Sequence, residues 1–390
     1  MIKIKSTILF LAISIAGLGQ SFESFMHNVE QNNPRLVTLQ KWVDAEERKA
    51  KTGFYPNNPE VKYNYLWGSS ESIGNQRELE ISQSFKLPGY YTSKAAIQKL
   101  SFQQNLAFAE KEKREILHLA RSGWFKMVWL KKKAAFLKTR KDDAEKLVSN
   151  MQKGFEGGEI SKPAFDKARI YNIGIQAEWQ NVQSDLEIQK QYLQQLSGNS
   201  AIEDFIFEYP LDWEVPELDT LLSNLSVNHP DLVMAQLGIK QAENEVMYQR
   251  MNSLPSFEAG YKSEIFLDQK LQGFHAGISV PLWQNTNSVK HAKLQTKWYK
   301  ANLLQQESEV KMQVSALYSE MLILKETYEQ MRHIMKEETV SKSNLELLYS
   351  GQISFTEYLV ENELVWDTQS QLLQNENAFF KLLSILKTYE

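Results

Sequence analysis

The stretch Asn32-Asn33-Pro34-Arg35-Leu36 recurs in this chain as Asn228-His229-Pro230-Asp231-Leu232, 196 residues further on. Pro59 and Pro255 have the same separation, and each opens a segment in which apolar and polar residues alternate. Later in each half, Gly158-Glu159-Ile160-Ser161 recurs as Gly351-Gln352-Ile353-Ser354. A separation that stays at about 195 residues predicts two copies of one structural unit, each too long to be a solenoid repeat.

This repeat divides the chain into predicted segments. They are a signal peptide (residues 1–19), repeat 1 (20–196), a linker or equatorial segment (197–226) and repeat 2 (227–390). The signal peptide is predicted because Lys3 and Lys5 precede an apolar run of about 12 residues, which is too short to span a membrane. The segment between the repeats either packs around the helices as a belt or only connects the two copies.

Each repeat is predicted to contain a helix, a β-hairpin (residues 59–87 and 255–283) and a long helical hairpin (residues 89–196 and 284–388). In repeat 2, apolar residues are spaced by four and three, which is typical of a coiled-coil seam. These residues are Val310, Val314, Leu317, Met321, Leu324, Tyr328, Met331 and Met335. Repeat 1 has a looser seam through Leu106, Ala109, Ile116, Ala120, Trp124, Met127, Leu130, Ala134 and Leu137. Helices of about 60 residues would be roughly 90 Å long.

The hairpins have one apolar face and one charged face. Strands of about 10 residues with this alternation suit a transmembrane β-barrel, in which one face contacts lipid and the other a wet lumen. The alternative is a soluble antiparallel sheet with one solvated face. Aromatic residues near the strand ends, such as Trp67 and Phe266, favour the transmembrane barrel over the soluble sheet. The predicted lumen-facing residues are Lys62, Glu78, Glu80, Lys86, Glu258, Lys262, Glu264 and His275.

Four strands cannot close a barrel, and an open strand edge in hydrocarbon leaves backbone groups unsatisfied. Additional strands must therefore come from other copies of the chain. Two chains would give eight strands and an interior filled by side chains, whereas three would give twelve and room for water. The charged lumen favours three chains, because charged side chains need room for water.

Composition and motifs exclude several other functions. The formal net charge is −4, so no basic surface for nucleic acid is expected, and the absence of cysteine excludes disulfides and thiolate metal sites. Sequence motifs of hydrolases, nucleotide sites and dinucleotide sites are missing. No two of the six histidines have the close spacing of zinc ligands, and methionines of the long rod fit its apolar seam. We therefore expect no enzyme activity, no cofactor and no metal site.

With its doubled helix starts, proline-led hairpins, long helices and Gly-x-Ile-Ser turns, the sequence resembles the TolC-like outer-membrane efflux proteins over about residues 22–388. The segment Pro56-Asn57-Asn58-Pro59-Glu60 is most similar to heavy-metal cation efflux members. The resemblance implies a homotrimer with a 12-stranded barrel in the outer membrane of a Gram-negative bacterium and a helical tunnel in the periplasm. It also implies two partners, an inner-membrane pump and a periplasmic adaptor, and a cargo of small molecules or metal cations.

The tips of the helical hairpins are the predicted gate and adaptor-binding region. If the helices taper towards the axis, polar side chains near the tips would line the narrowest part of the pore. The gate candidates are Glu156, Glu159, Lys162, Asp166, Arg169, Tyr349, Gln352, Glu357 and Glu361. The resemblance assigns adaptor contacts to Gly157, Gly158, Ile160, Ser161, Gly351, Ile353 and Ser354. The competing hypothesis for the whole chain is a soluble periplasmic coiled-coil scaffold or adaptor.

Overall fold

A computed structural model describes residues 21–69, 73–202, 205–267, 269–337 and 340–389. The predicted signal peptide lies outside these ranges. In the first half of the chain the elements are α1 (Phe22–Asn32), α2 (Pro34–Lys49), β1 (Glu60–Leu66), β2 (Gln76–Phe85), α3 (Pro88–Glu156) and α4 (Lys162–Leu196). In the second half they are α5 (Leu218–Asn228), α6 (Pro230–Asn252), β3 (Ser256–Phe266), β4 (Gln269–Ser279), α7 (Ser288–Glu337), α8 (Val340–Tyr349) and α9 (Phe355–Leu386).

Two element bounds differ from the sequence expectation. Residues 218–226, predicted as part of the linker, belong to α5, so the helix pair α5 and α6 precedes β3 as α1 and α2 precede β1. Strand β1 has seven residues rather than about 10. Within the described ranges, no helix is both long and apolar enough to cross a membrane.

The repeated Asn-x-Pro motif marks the beginning of a helix. Asn33 Oδ1 accepts hydrogen bonds from the backbone N–H groups of Arg35 (2.9 Å) and Leu36 (3.3 Å), which satisfies donors in the first turn of α2. Pro34 occupies the first helical position, where a missing N–H costs no hydrogen bond. In the second copy Pro230 keeps this position but His229 makes no side-chain cap, so the motif retains the proline and loses the amide cap.

The chain forms two compact units, each built from both halves of the sequence. The first unit contains described residues of 21–36, 116–215 and 320–384, and its core surrounds Trp124 and Phe125, which are fully buried. Part of the predicted equatorial segment packs in this unit: the Phe207 ring lies 4.4 Å from the Trp124 ring, and the Tyr209 ring stacks 4.4 Å from that of Phe380. The segment thus contacts both α3 and α9.

The second unit contains the β-sheet and described residues of 37–115, 216–319 and 385–389. All four strands form one antiparallel sheet in the order β1-β2-β3-β4. Within the hairpins, β1 pairs with β2 and β3 pairs with β4. Pairing of β2 with β3 joins the two hairpins. Edge strands β1 and β4 each have one neighbouring strand among the described residues.

The predicted seam of the second rod is confirmed. Val310, Val314, Met321 and Tyr328 are buried, and the other four seam residues are half-buried. In the first rod the seam holds from Ile116 to Leu137, but Leu106 is 42% exposed, so its predicted place in the seam was wrong. A straight helix drifts by about 20° per heptad relative to a seven-residue pattern, which turns the ends of a loose seam away from the contact.

Candidate functional site

One face of the sheet is mainly apolar and largely exposed, and its charged residues, Arg77 and Lys270, lie in a single row. The register places Val61, Ile81, Tyr261 and Phe274 in one row across the four strands, and Phe85, Phe257 and Ile278 in a second row. Phe274 is 91% exposed, although Tyr261 packs edge-on against it at 5.8 Å between ring centroids. Apolar side chains arranged continuously on a sheet without a cover mark a surface that contacts another apolar phase.

The opposite face carries the charged residues predicted to face a lumen. The register confirms that Lys62, Glu78, Glu80, Glu258, Lys262, Glu264 and His275 share this face. Lys86 is different, because it follows the end of β2 and donates a hydrogen bond to the Asn252 side chain. The prediction that Lys86 belongs to the strand face was therefore wrong: its strand ends one residue earlier.

Ion pairs on the charged face engage both of its lysines. Lys262 Nζ lies 2.8 Å from Glu78 Oε1 on the neighbouring strand, and Lys62 Nζ lies 3.3 Å from Glu60 Oε2 on its own strand. The Gln76 amide donates to Glu264 Oε1. Exposed polar pairs of this kind stabilise a sheet modestly while keeping its charged groups solvated.

A second group on this face was missed by the sequence analysis. His275 Nε2 lies 3.6 Å from Glu80 Oε1 and 3.5 Å from Glu258 Oε1, so two carboxylates converge on one imidazole. The three residues belong to β2, β3 and β4. A search for histidines close together in sequence could not find them, because the sheet register alone makes them neighbours.

The first helical tip, between α3 and α4, is closed by backbone hydrogen bonds around glycine. The N–H groups of Glu159 and Ile160 donate to the Gly154 carbonyl at 2.8 and 3.1 Å, and Gly158 adopts a φ of +78°, which glycine adopts without steric cost. Ser161 precedes α4 but makes no side-chain cap. The turn is therefore closed by backbone hydrogen bonds, without a side-chain cap.

The second tip, between α8 and α9, has the same glycine turn and an additional cap. Gly351 adopts a φ of +71°. The Ser354 N–H donates to Glu357 Oε2 at 2.7 Å, while the Glu357 N–H donates to Ser354 Oγ at 3.2 Å, which is a capping box. The hydrogen bond from the Ser354 backbone lowers the pKa of Glu357 below its ordinary value. Glu357 thus has a structural contact as well as its predicted position near the tip.

The remaining predicted tip residues fall into exposed and half-buried groups. Ile160 and Ile353 pack against a buried cluster that includes Leu147, Met151 and Phe355, so their side chains support the tip. Asp166 is half-buried and lies 3.8 Å from Arg169. Exposed at the tips are Glu156, Gly157, Gly158, Glu159, Ser161, Lys162, Arg169, Tyr349, Gly351, Gln352, Ser354, Glu357 and Glu361.

A polar group around the buried Glu376 in the first unit was also missed. Lys132 Nζ lies 2.7 Å from both carboxylate oxygens of Glu376, and the Tyr328 hydroxyl donates to Glu376 Oε1 at 3.2 Å. Burial, with the Glu376 charge as a smaller cause, raises the pKa of the neighbouring Tyr209. Lys132 stands in a run of three lysines and is exposed, as that context indicates, so its contact with a buried carboxylate could not be predicted from the sequence.

No model of a protein family matches this chain, and no curated protein matches it significantly. Several solved structures, however, match this chain. CusC, described for its folding and transmembrane channel formation, matches with a TM-score of 0.80 and 14% identity over 94% of this chain and 91% of that chain. The CmeC outer membrane channel of Campylobacter jejuni matches with a TM-score of 0.79 and 13% identity, over 94% and 85% of the respective chains.

A third similar structure is the outer membrane protein VceC of Vibrio cholerae, with a TM-score of 0.78 and 13% identity over 94% of this chain and 95% of that chain. These likenesses cover nearly the whole of both chains in each comparison, although sequence identity is low. The chain therefore has the fold of these outer membrane channel proteins. The resemblance in fold that the sequence predicted is confirmed.

Proposed function

We propose that this protein is the outer-membrane exit duct of a tripartite efflux system in a Gram-negative bacterium. In this proposal the sheet lies in the outer membrane and the helical part in the periplasm, where a periplasmic adaptor joins the duct to an inner-membrane pump. The observation that carries the proposal is the sheet with an exposed apolar face and a charged opposite face. The proposed role of the protein is the transport of small molecules or metal cations, and this transport requires no catalytic group.

The two edge strands support a trimer. An open sheet in hydrocarbon leaves the backbone N–H and C=O groups of β1 and β4 unsatisfied, at a cost of several kcal/mol for each group. Pairing β4 of one copy with β1 of the next satisfies these groups. Three copies of the four-stranded sheet would form a 12-stranded barrel, wide enough to hold water between the charged side chains.

The similar solved structures support the proposal at the level of fold. CmeC is described as an outer membrane channel, as is MtrE of Neisseria gonorrhoeae, whose structure represents an open state. The same arrangement of elements in this chain is consistent with a channel.

The test is the mass of the purified protein in detergent together with conductance in a planar lipid bilayer. We expect a trimer that requires detergent and conducts ions. A water-soluble monomer without conductance would overturn the proposal, and the periplasmic scaffold would then be the better hypothesis.

Within this proposal, the exposed tip residues contact the adaptor and the charged ones control ion passage. We expect the double substitution of Asp166→Asn and Glu357→Gln to change single-channel conductance or cation preference, since carboxylates repeated three times around an axis attract cations. Asp185→Asn with Glu187→Gln is the matched control, because both residues are exposed on α4 away from its tip. Equal conductance of the two double variants would contradict the gate assignment.

The adaptor contact has its own test. A photo-crosslinking residue placed at Ser161, exposed at the first tip, should capture the adaptor in cells, whereas one at Ser184 in the middle of α4 should not. Equal capture at both positions would contradict the tip assignment.

A further inference from the structure

We propose that Glu80, Glu258 and His275 form a binding site for a first-row divalent cation such as Zn²⁺. The three side chains share the charged face of the sheet, on β2, β3 and β4. His275 is directly opposite Gly260 on β3, and Ser82 of β2 lies in the same row. Glu80 and Glu258 are each two residues along their strand from that row, so they approach His275 from two sides on one face.

The distances suit a single cation between the three groups. His275 Nε2 lies 3.6 and 3.5 Å from the nearest carboxylate oxygens, and all three candidate ligand atoms lie within 4.8 Å of one another. Metal–ligand bonds of about 2.0–2.2 Å in a tetrahedron separate the ligand atoms by about 3.3–3.6 Å. The imidazole is therefore already at coordinating separation from both carboxylates, and small side-chain rotations would complete the set.

A glycine leaves room for the imidazole. A Cβ atom at position 260 would lie 2.4 Å from His275 Cε1 and 2.7 Å from His275 Nε2, so the ring occupies the space that any other residue would fill. Gly260 allows the ring to lie across β3, between Glu80 and Glu258. A larger residue at position 260 would displace the ring, so the glycine keeps this place open for it.

The local charge also favours a cation. Lys62 and Lys262 lie directly opposite Glu80 on the neighbouring strands, but their Nζ atoms pair with Glu60 and Glu78. In the described ranges, the only basic side chain within 4 Å of the Glu80 or Glu258 carboxylate is His275. An imidazole must be neutral to ligate a metal, so two carboxylates and the imidazole would present a formal charge of −2 to the cation. One nitrogen and two oxygen donors suit zinc and other first-row divalent ions better than soft monovalent copper. The half-exposed Glu258 leaves room for water as a further ligand.

The test is zinc binding by the full-length protein in detergent after treatment with a chelator, measured by calorimetry with zinc chloride. We expect one Zn²⁺ per chain. The substitutions His275→Gln and Glu258→Gln should each weaken binding by about tenfold or more. Glu264→Gln is the matched control, because it removes the same charge from the same face without removing a ligand, and Glu264 contacts the Gln76 amide rather than a lysine. His291→Gln controls for loss of an exposed histidine. Both controls should stay within about twofold of the unsubstituted protein.

X-ray absorption of the zinc-loaded, unsubstituted protein gives a second measurement that does not depend on the folding of any variant. We expect one imidazole nitrogen and otherwise oxygen ligands. Three results would each overturn the proposal: no zinc binding, equal weakening by Glu258→Gln and Glu264→Gln, or an all-oxygen shell. Because stoichiometry is measured per chain and without conductance, the result is independent of whether the protein is an efflux duct.

Discussion

Aromatic residues are used in opposite ways in the core of the first unit and on the sheet of the second. Trp124 and Phe125 are fully buried among rings from α1, α9 and the segment that follows α4, whereas Phe274 on β4 is 91% exposed. The first unit thus covers the rings of this core with its own chain. The sheet cannot do so, and its stability in the proposed duct depends on lipid and on neighbouring copies.

The largest expected effect tests the self-contained core. Replacing Trp124 with alanine removes ring contacts with Phe22, Phe25 and Phe207, together with the hydrogen bond from its indole N–H to the Glu208 carbonyl. We expect the free energy of unfolding to fall by about 3–5 kcal/mol, measured by denaturant titration in detergent. Trp298→Ala, at a position that is 58% exposed, is the control. A similar loss in both variants would remove the contrast between the core and the surface.

The next effect tests which face of the sheet contacts lipid. Phe274→Arg should destabilise the membrane-inserted protein by about 2–4 kcal/mol, because a charge on the lipid face must enter hydrocarbon. Leu271→Arg is the matched control on the same strand: Leu271 is 71% exposed on the other face, opposite Glu264. The measurement is the fraction of heat-resistant oligomer in outer membranes. If the heat-resistant oligomer persists in Phe274→Arg but is lost in Leu271→Arg, the two faces are assigned the wrong way round.

A smaller effect compares the two tips of the first unit. Ser354→Ala removes one half of the capping box and should destabilise the start of α9 by about 0.5–2 kcal/mol. Ser161→Ala should have little effect, since Ser161 makes no side-chain cap. Hydrogen exchange of the first turns of α4 and α9 measures both. Equal exchange changes at the two tips would show that the cap geometry does not stabilise the second tip.

The smallest effect concerns the helical part of the second unit. Burial lowers the pKa of His229 below its ordinary value of 6.5, with Lys111 and Arg114 acting in the same direction and Asp231 opposing them. The unfolded chain therefore binds a proton more readily, so stability should fall as the pH decreases below about 6.5. His229→Gln should flatten this dependence between about pH 5 and 7, whereas the exposed-site control His291→Gln should not. An unchanged profile in His229→Gln would exclude His229 as its source.

Local patterns predicted most of the helices and strands and which of their side chains share a face. The four-three spacing from Val310 to Met335 predicted the buried stripe of α7, and the period of two predicted which side chains share a face of the sheet. The same reasoning failed at Leu106 and at residues 218–226, where a loose pattern and two nearby prolines hid the true geometry. Periodicity shows which residues share one side of a helix or strand. It does not show where that helix or strand begins or ends, so predictions from it are least accurate there.

The sequence by itself determined the doubled order of elements, the apolar and charged faces of the strands and the glycine turns of the tips, because each depends on residues close together in the chain. Only the tertiary structure decided that β2 pairs with β3, that each compact unit combines both halves and that Glu80, Glu258 and His275 meet. These features depend on the register between strands almost 180 residues apart in sequence. Such pairing is set by the packing of the whole fold, and no local spacing encodes it.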